Sequence, residues 1–243
     1  ETPTNTGNVY NNTLLLNHVT WTGTSYAYGG YNAGTGDATG NTVTLKDITT
    51  SSQLYIYGGY AKNGNAINNT VILDGKPVRH TVNGAIHSGG IYLSGGRSNS
   101  AGADVTTGNT LLVKSTGHLI ALASNFEKLQ FDIGANIKNG DVMFTFRGNN
   151  LTFSWNNITV NGGVVWGQAQ IAARPGESNA VVLCRRDFTE AINITGGTPC
   201  KQSLEIVSLE CTVEKGLVCM QINVRGSSSV PNSFKMRMYY LIM

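Results

Sequence analysis

The chain has 243 residues, of which only 13% are charged, and its net charge is +3, against the ~25% charged residues usual for a soluble globular domain. It contains no run of Lys and Arg, which argues against a nucleic-acid partner, and no stretch approaching the ~18 apolar residues of a membrane helix. With 30 Gly, 5 Pro and recurrent apolar runs, the composition excludes a disordered chain and leaves Thr, Asn, Ser and Gly to cover a β-rich fold.

Glu1-Thr2-Pro3-Thr4 has neither the basic start nor the apolar core of a secretory leader. An exported protein would carry this stretch as part of a mature or truncated chain. Residues 1–11 are polar and are expected to cover the first repeat, whose outer strand is otherwise an unpaired edge.

Two repeat units follow. Asn12-Thr13-Leu14-Leu15-Leu16 is followed by Tyr28-Gly29-Gly30-Tyr31, and Asn41-Thr42-Val43-Thr44-Leu45 by Tyr57-Gly58-Gly59-Tyr60, with 17 residues from Asn to the first Gly in both (29 − 12 and 58 − 41). The Asn-Thr element returns at Asn69 and Asn109, giving spacings of 29, 28 and 40 residues between Asn12, Asn41, Asn69 and Asn109. A period in this range marks a stacked repeat architecture. Equivalent residues should then sit side by side, Leu16 next to Leu45 and Ala27 next to Ile56, at the ~4.8 Å separation of sheet neighbours.

Strand alternation places Tyr26, Tyr28, Tyr55 and Tyr57 on one face and Ala27, Leu54 and Ile56 on the other; the second, apolar face is expected inside. The Gly pairs are expected to turn the chain, with Gly29 and Gly58 at positive φ. Asn12, Asn41, Asn69 and Asn109 suit turn positions and could hydrogen-bond from unit to unit. The third unit offers two alignments for its Gly pair, Ile86-His87-Ser88-Gly89-Gly90-Ile91 and Leu93-Ser94-Gly95-Gly96-Arg97, and both stay open.

Beyond Asn109 the texture changes to Ser124-Asn125-Phe126-Glu127-Lys128-Leu129-Gln130-Phe131-Asp132-Ile133, then an Asn139-Gly140 turn and Val142-Met143-Phe144-Thr145-Phe146. From Val181 the Gly pairs thin out and four cysteines appear, Cys184, Cys200, Cys211 and Cys219. The expected fold is all-β, a right-handed parallel β-helix-like solenoid over residues 1–180, with a less regular C-terminal β section over 181–243.

The "GNTVTL … YGGY" repeats and the "NFEKLQFDIGANIKNGDVMFTF" block together resemble passenger domains of bacterial type V autotransporters, over roughly residues 10–165. The resemblance implies a β-helix exported through a C-terminal outer-membrane barrel. That barrel translocator is expected in the full-length chain, since its ~10-residue alternating strands are not visible here. It further implies a cell-surface or extracellular location, associated with a Gram-negative outer membrane, and adhesion as the role, with a glycan or host surface protein as partner. Four Cys depart from the family's habit.

Gly-x-Ser-x-Gly is absent, as are H-E-x-x-H, C-x-x-C, a phosphate loop and the G-G-x-G-x-D calcium repeat. His18, His80, His87 and His118 are scattered and read as surface residues. Asp37, Asp47, Asp74 and Asp104 fall in or beside loops and do not read as a ladder of facing carboxylates. The expectation is therefore a non-enzymatic protein with no cofactor and no metal; a β-helix carbohydrate-active enzyme and a purely structural stalk are the alternatives. Tyr28, Tyr31, Tyr57 and Tyr60 are the candidate ligand-binding residues, with unit-to-unit ring stacking as their structural reading.

Export would place the cysteines in an oxidising compartment. Cys211 and Cys219 flank a hairpin turning at Glu214-Lys215-Gly216 and are expected to pair, with Cys184–Cys200 as the second bridge; four free thiols is the other outcome.

Overall fold

The computed structural model describes residues 6–87, 89–138 and 141–145 with their side chains; from Phe146 on it describes only the backbone of strands, those from Ile158–Asn161 to Phe234–Leu241 included. Every regular element among the described residues is a β-strand, and the strands form five sheets.

The largest sheet is built from the Asn-Thr elements. Thr13–Trp21 pairs with Thr42–Thr50, and the row continues through Thr70–Leu73, Thr110–Val113, Lys128–Asp132 and Ile158–Asn161, all parallel. Leu16 pairs with Leu45, Leu45 with Leu73, Leu73 with Val113 and Val113 with Phe131. The change of texture after Asn109 is thus no break, because Lys128–Asp132 takes the next place in the row.

A second sheet runs parallel through Ser25–Asn32, Leu54–Ala61, Ile91–Ser98 and Leu122–Ser124. Ala27 pairs with Ile56, as the repeat predicts, and Gly96 with Gly59. The third unit therefore uses Leu93-Ser94-Gly95-Gly96-Arg97. A short third row aligns Val9 with Ala38 and Ala38 with Ala66. Residues 9 and 10 of the polar lead-in belong to that row.

Ala27, Leu54, Ile56, Ile91 and Leu93 face inward and pack with Val43, Leu45, Val71, Leu73, Leu111, Phe126 and Phe131 in one core. This is the face expected inside. Leu14, Leu16, Val19 and Trp21 join it only partly buried, because Thr13–Trp21 is the outer strand of its row.

The Gly pairs do not turn the chain. Ser25–Asn32 and Leu54–Ala61 run through them as strands, and neither Gly29 nor Gly58 has positive φ. The left-handed residues sit immediately before the repeated Asn instead: Asn11, Gly40, Asn68 and Gly108, at φ 56, 68, 57 and 69°. Asn and Gly are the residues that take this conformation at least cost. A second left-handed bend falls at His18 and Asp47, φ 55 and 52°. It divides Thr42–Thr50 so that its first half pairs with Thr70–Leu73 and its second with Val78–Val82.

Later in the chain the pairing becomes mixed. Val142–Phe146 pairs in parallel with both His118–Ile120 and Val181–Arg186, but Ile171–Ala173 pairs antiparallel with Val181–Arg186. Leu204–Glu214, Leu217–Gly226 and Phe234–Leu241 form an antiparallel meander. The expected hairpin is present there, with its register off by one: Cys211 stands opposite Met220 and Cys219 opposite Thr212. Cys211 and Cys219 are thus not direct cross-strand neighbours. Cys200 and the Asn139-Gly140 turn lie outside the described residues.

Candidate functional site

The Gly pairs are required by close approach. A Cβ on Gly30 would meet the amide of Asn41 at 2.5 Å, and one on Gly59 the amide of Asn69 at 2.5 Å. In the third unit a Cβ on Gly96 would meet Asn109 Nδ2 at 2.8 Å. Each Asn that opens a unit therefore lies flat on the Gly pair that closes the unit before it. Asn41, Asn69 and Asn109 are fully buried, and a buried amide must find hydrogen-bond partners. It finds them in the next unit and in the short third row. Asn41 Oδ1 accepts from the backbone N–H and the Nδ2 of Asn12 at 3.1 and 2.9 Å. Asn69 Oδ1 accepts the same pair from Asn41, both at 3.0 Å, and Asn109 Oδ1 from Asn69 at 2.8 and 3.3 Å. Their Nδ2 groups donate onward to Val9 O, Ala38 O and Ala66 O. The Asn series bonds from unit to unit as expected, but the residue preceding each Asn takes the left-handed turn.

That seam fixes the strand whose other face carries the tyrosines. Tyr26, Tyr55 and Tyr92 form one column, with ring centroids 5.1 and 4.7 Å apart and planes within 12 and 15° of parallel. Tyr28 stacks on Tyr57 at 5.4 Å and Tyr31 on Tyr60 at 5.0 Å. Tyr28 also meets Tyr31 and Tyr60 edge-on, at 5.3 and 5.5 Å, so the second and third columns interlock. Offset-stacked and edge-on rings are the favoured arrangements, and the ~4.8 Å strand spacing imposes the repeat. Burial, then the neighbouring phenols, push the Tyr28 hydroxyl above its ordinary value; Tyr55 is raised by burial and then by Tyr92. Of the four expected ligand residues, Tyr31 is 51% exposed and Tyr57 only 6%, so Tyr57 offers little surface of its own.

The columns stop in the third unit, and the way they stop makes a cleft. Ser94 holds the position of Tyr57, and Arg97 that of Tyr60. With no ring above it, Tyr57 receives the guanidinium of Arg97, whose Cζ lies 5.5 Å from the ring centroid and whose Nη1 donates to Tyr57 Oη at 2.9 Å. That hydrogen bond raises the pKa of Arg97 further. A shallow cleft of about 370 Å³ opens there, lined by Tyr55, Tyr92, Arg97, Ser124 and Asn125 among others. Its polar floor is ordered: Asn125 Nδ2 donates to Ser94 Oγ at 3.2 Å and to Gly96 O at 2.9 Å. Tyr92 and Arg97 are the site residues the sequence reading missed. The signal was present, since Tyr92 precedes Gly96 by the same four residues that separate Tyr55 from Gly59 and Tyr26 from Gly30.

The carboxylates are committed to structure. Asp37 and Asp104 do belong to a ladder, interleaved with asparagines: Asn8 Oδ1 accepts from Asp37 N–H, Asp37 Oδ1 from Asn65 N–H, and Asn65 Oδ1 from Asp104 N–H. Asp104 then accepts from Thr106 and Thr107 N–H. Asp47 bonds His18 Nδ1 at 2.6 Å, which lowers its pKa, and Asp74 is lowered mainly by Lys46 at 2.8 Å.

The histidines divide. His18 and His87 are exposed, whereas His80 and His118 are buried, against the surface reading. His118 Nδ1 accepts from Val78 N–H at 3.1 Å, which leaves its Nε2 to bond Ser115 Oγ at 2.8 Å. Burial pushes its pKa down to about 3. Among the described residues no group of three or more His, Cys, Asp or Glu is placed to hold a metal ion.

No protein-family model matches the chain, and no curated protein or solved structure matches it.

Proposed function

We propose that this chain is a non-enzymatic passenger-type β-helix, displayed at the cell surface by a barrel translocator in the longer protein, and that its tyrosine face makes an adhesive contact with glycan. The parallel rows are then faces of one right-handed solenoid, with one coil per repeat. The shared offsets support this: Leu16 with Leu45, Ala27 with Ile56 and Val9 with Ala38 all advance by 29 residues.

One observation carries the adhesive function. Three tyrosine columns stand on the outer face of a sheet, with Tyr26 57% and Tyr31 51% exposed. Stacked rings held by a buried Asn–Gly seam present a rigid amphipathic surface, and binding to it costs little side-chain ordering. Pyranose rings offer C–H faces that suit aromatic surfaces, while the phenol hydroxyls can bond sugar hydroxyls. The carbohydrate-active-enzyme alternative needs two facing carboxylates, and Asp37, Asp47, Asp74 and Asp104 are all hydrogen-bonded or ion-paired.

A glycan and matrix-protein array on the purified protein tests the proposal, with a Tyr26→Ala, Tyr31→Ala double variant beside it. The expected result is glycan binding that the double variant loses while its unfolding midpoint changes little. No binding at all would support the structural stalk. New reducing ends in a polysaccharide incubated with the protein would support the enzyme.

A further inference from the structure

We infer that the cleft at the broken end of the tyrosine columns takes an anionic saccharide, with a sugar ring beside Tyr92 and Tyr55 and its carboxylate or sulfate on Arg97. The inference rests on the glycan-binding function proposed above and assigns it a subsite and a ligand class.

Three features converge. First, the cleft exists because the repeat is broken in a particular way: where the pattern calls for two tyrosines, the third unit supplies Ser94 and Arg97. A small residue makes the space and a cation lines it. Second, Arg97 is exposed, and its described contacts are neutral, a hydrogen bond to Tyr57 Oη and the face of that ring. The ion pairs among the described residues join Asp47 to His18 and Lys76, Asp74 to Lys46, and Asp132 to Lys114; none involves Arg97. The remaining guanidinium N–H groups are thus open to a ligand, in the planar fork that suits a carboxylate or sulfate. The bond to Tyr57 restrains the fork in advance, which reduces the ordering cost of binding. Third, the walls and floor suit a sugar ring. Tyr92 and Tyr55 form an aromatic wall, and Ser94, Ser124 and Asn125 complete the lining. The Ser94 hydroxyl donates to Gly96 O, and Asn125 Nδ2 to Ser94 Oγ and Gly96 O, which leaves Asn125 Oδ1 as an acceptor for sugar hydroxyls. An acidic peptide would find the same cation, but it does not need the polar floor beside an aromatic wall.

Isothermal titration calorimetry with three oligosaccharides of equal length tests this: an oligogalacturonate, a sulfated heparin fragment and a neutral cello-oligosaccharide. One or both anionic ligands should bind at least about tenfold more tightly than the neutral one, with affinity falling as salt rises. Arg97→Gln should remove that preference, and Arg97→Lys should restore only part of it. Ser94→Tyr, which refills the column, should block all three ligands at the cleft. Preference for the uronate or for the sulfated fragment identifies the anion. Equal affinity for all three, or a preference unchanged in a folded Arg97→Gln protein, overturns the inference and leaves the adhesive function standing. Binding of a glutamate-rich peptide more tightly than any saccharide overturns it in favour of a protein ligand. No saccharide binding by the unaltered protein overturns both.

Discussion

The two faces of the strands at Ser25–Asn32 and Leu54–Ala61 use the same repeat for opposite purposes. On one side Gly30 and Gly59 receive the amides of Asn41 and Asn69, which are fully buried and fully bonded. On the other, Tyr26 and Tyr31 stand more than half exposed, stacked on neighbours that the strand spacing supplies. In the first three units the seam leaves no room for a side chain at Gly30, Gly59 or Gly96. The columns do change, at Ser94 and Arg97, and the strand beneath them stays in register. A repeat that is kept on its buried side and broken on its exposed side has been freed to vary where a ligand can reach it.

The sharpest way to break this contrast is to insert a methyl group into the seam. In Gly96→Ala the new Cβ would run into the carbonyl oxygens of Ala66 and Val105, backbone atoms that cannot rotate away. A loss of about 3 kcal/mol or more is expected, in the range of severe overpacking, read as a lowered urea midpoint or as failure to fold. Gly23→Ala is the control: nothing lies within 4 Å of its Cβ position, and its midpoint should hardly move. Equal midpoints for the two variants would mean the seam is looser than its distances indicate.

The repeat made much of this architecture legible in advance. A constant distance from Asn12 to Gly29 and from Asn41 to Gly58 was enough to place Leu16 beside Leu45 and Ala27 beside Ile56. The role of the glycines was not legible, because a Gly can mean positive φ or a close neighbour, and the neighbour here is an amide ten or more residues along the chain. The real turn positions alternate between Asn and Gly, at Asn11, Gly40, Asn68 and Gly108, so no single letter repeats. The Asn8–Asp37–Asn65–Asp104 ladder was hidden in the same way, since its rungs are equivalent in hydrogen bonding and different in charge. Arg97 was not legible as a site residue because its place beside Tyr57 follows from the pairing of Ile91–Ser98 with Leu54–Ala61, and the Tyr-Gly-Gly-Tyr letters are lost there. At the hairpin, Glu214 pairs with Leu217 and so belongs to the strand and not to the turn, which moves every cross-strand partner by one and puts Cys211 opposite Met220.

A smaller effect separates members of the seam. Asn69→Ala removes the acceptor of Asn41 N–H and Nδ2 and the Nδ2 donor of Asn109 Oδ1, which keeps only the backbone N–H of residue 69. Stranding buried polar groups costs ~1–3 kcal/mol for each, so a total of about 2–4 kcal/mol is expected in equilibrium denaturation. Asn12→Ala, at the exposed end of the ladder, should cost under about 1 kcal/mol. If Asn12 proved as costly as Asn69, stability would come from the number of rungs and not from their burial.

The buried side should also reveal itself through pH. His118 is fully buried and neutral in the fold, with Nδ1 accepting from Val78 N–H and Nε2 bonded to Ser115. Its pKa is lowered from 6.5 to about 3. Below about pH 6.5 the unfolded chain binds a proton at this site that the folded chain refuses, so the site's contribution to stability falls as pH drops and is flat above that point. The slope is about 1.4 kcal/mol per pH unit, or about 2 kcal/mol lost by pH 5. His118→Gln keeps an acceptor for Val78 and cannot titrate. It should start less stable at pH 7.5, through imperfect packing, and then lose less stability than the unaltered protein between pH 6.5 and 5. Guanidinium denaturation at these pH values measures the difference, and the other titrating groups cancel in the comparison. Parallel pH profiles would mean that His118 is charged in the fold, which the N–H of Val78 pointing at its Nδ1 forbids.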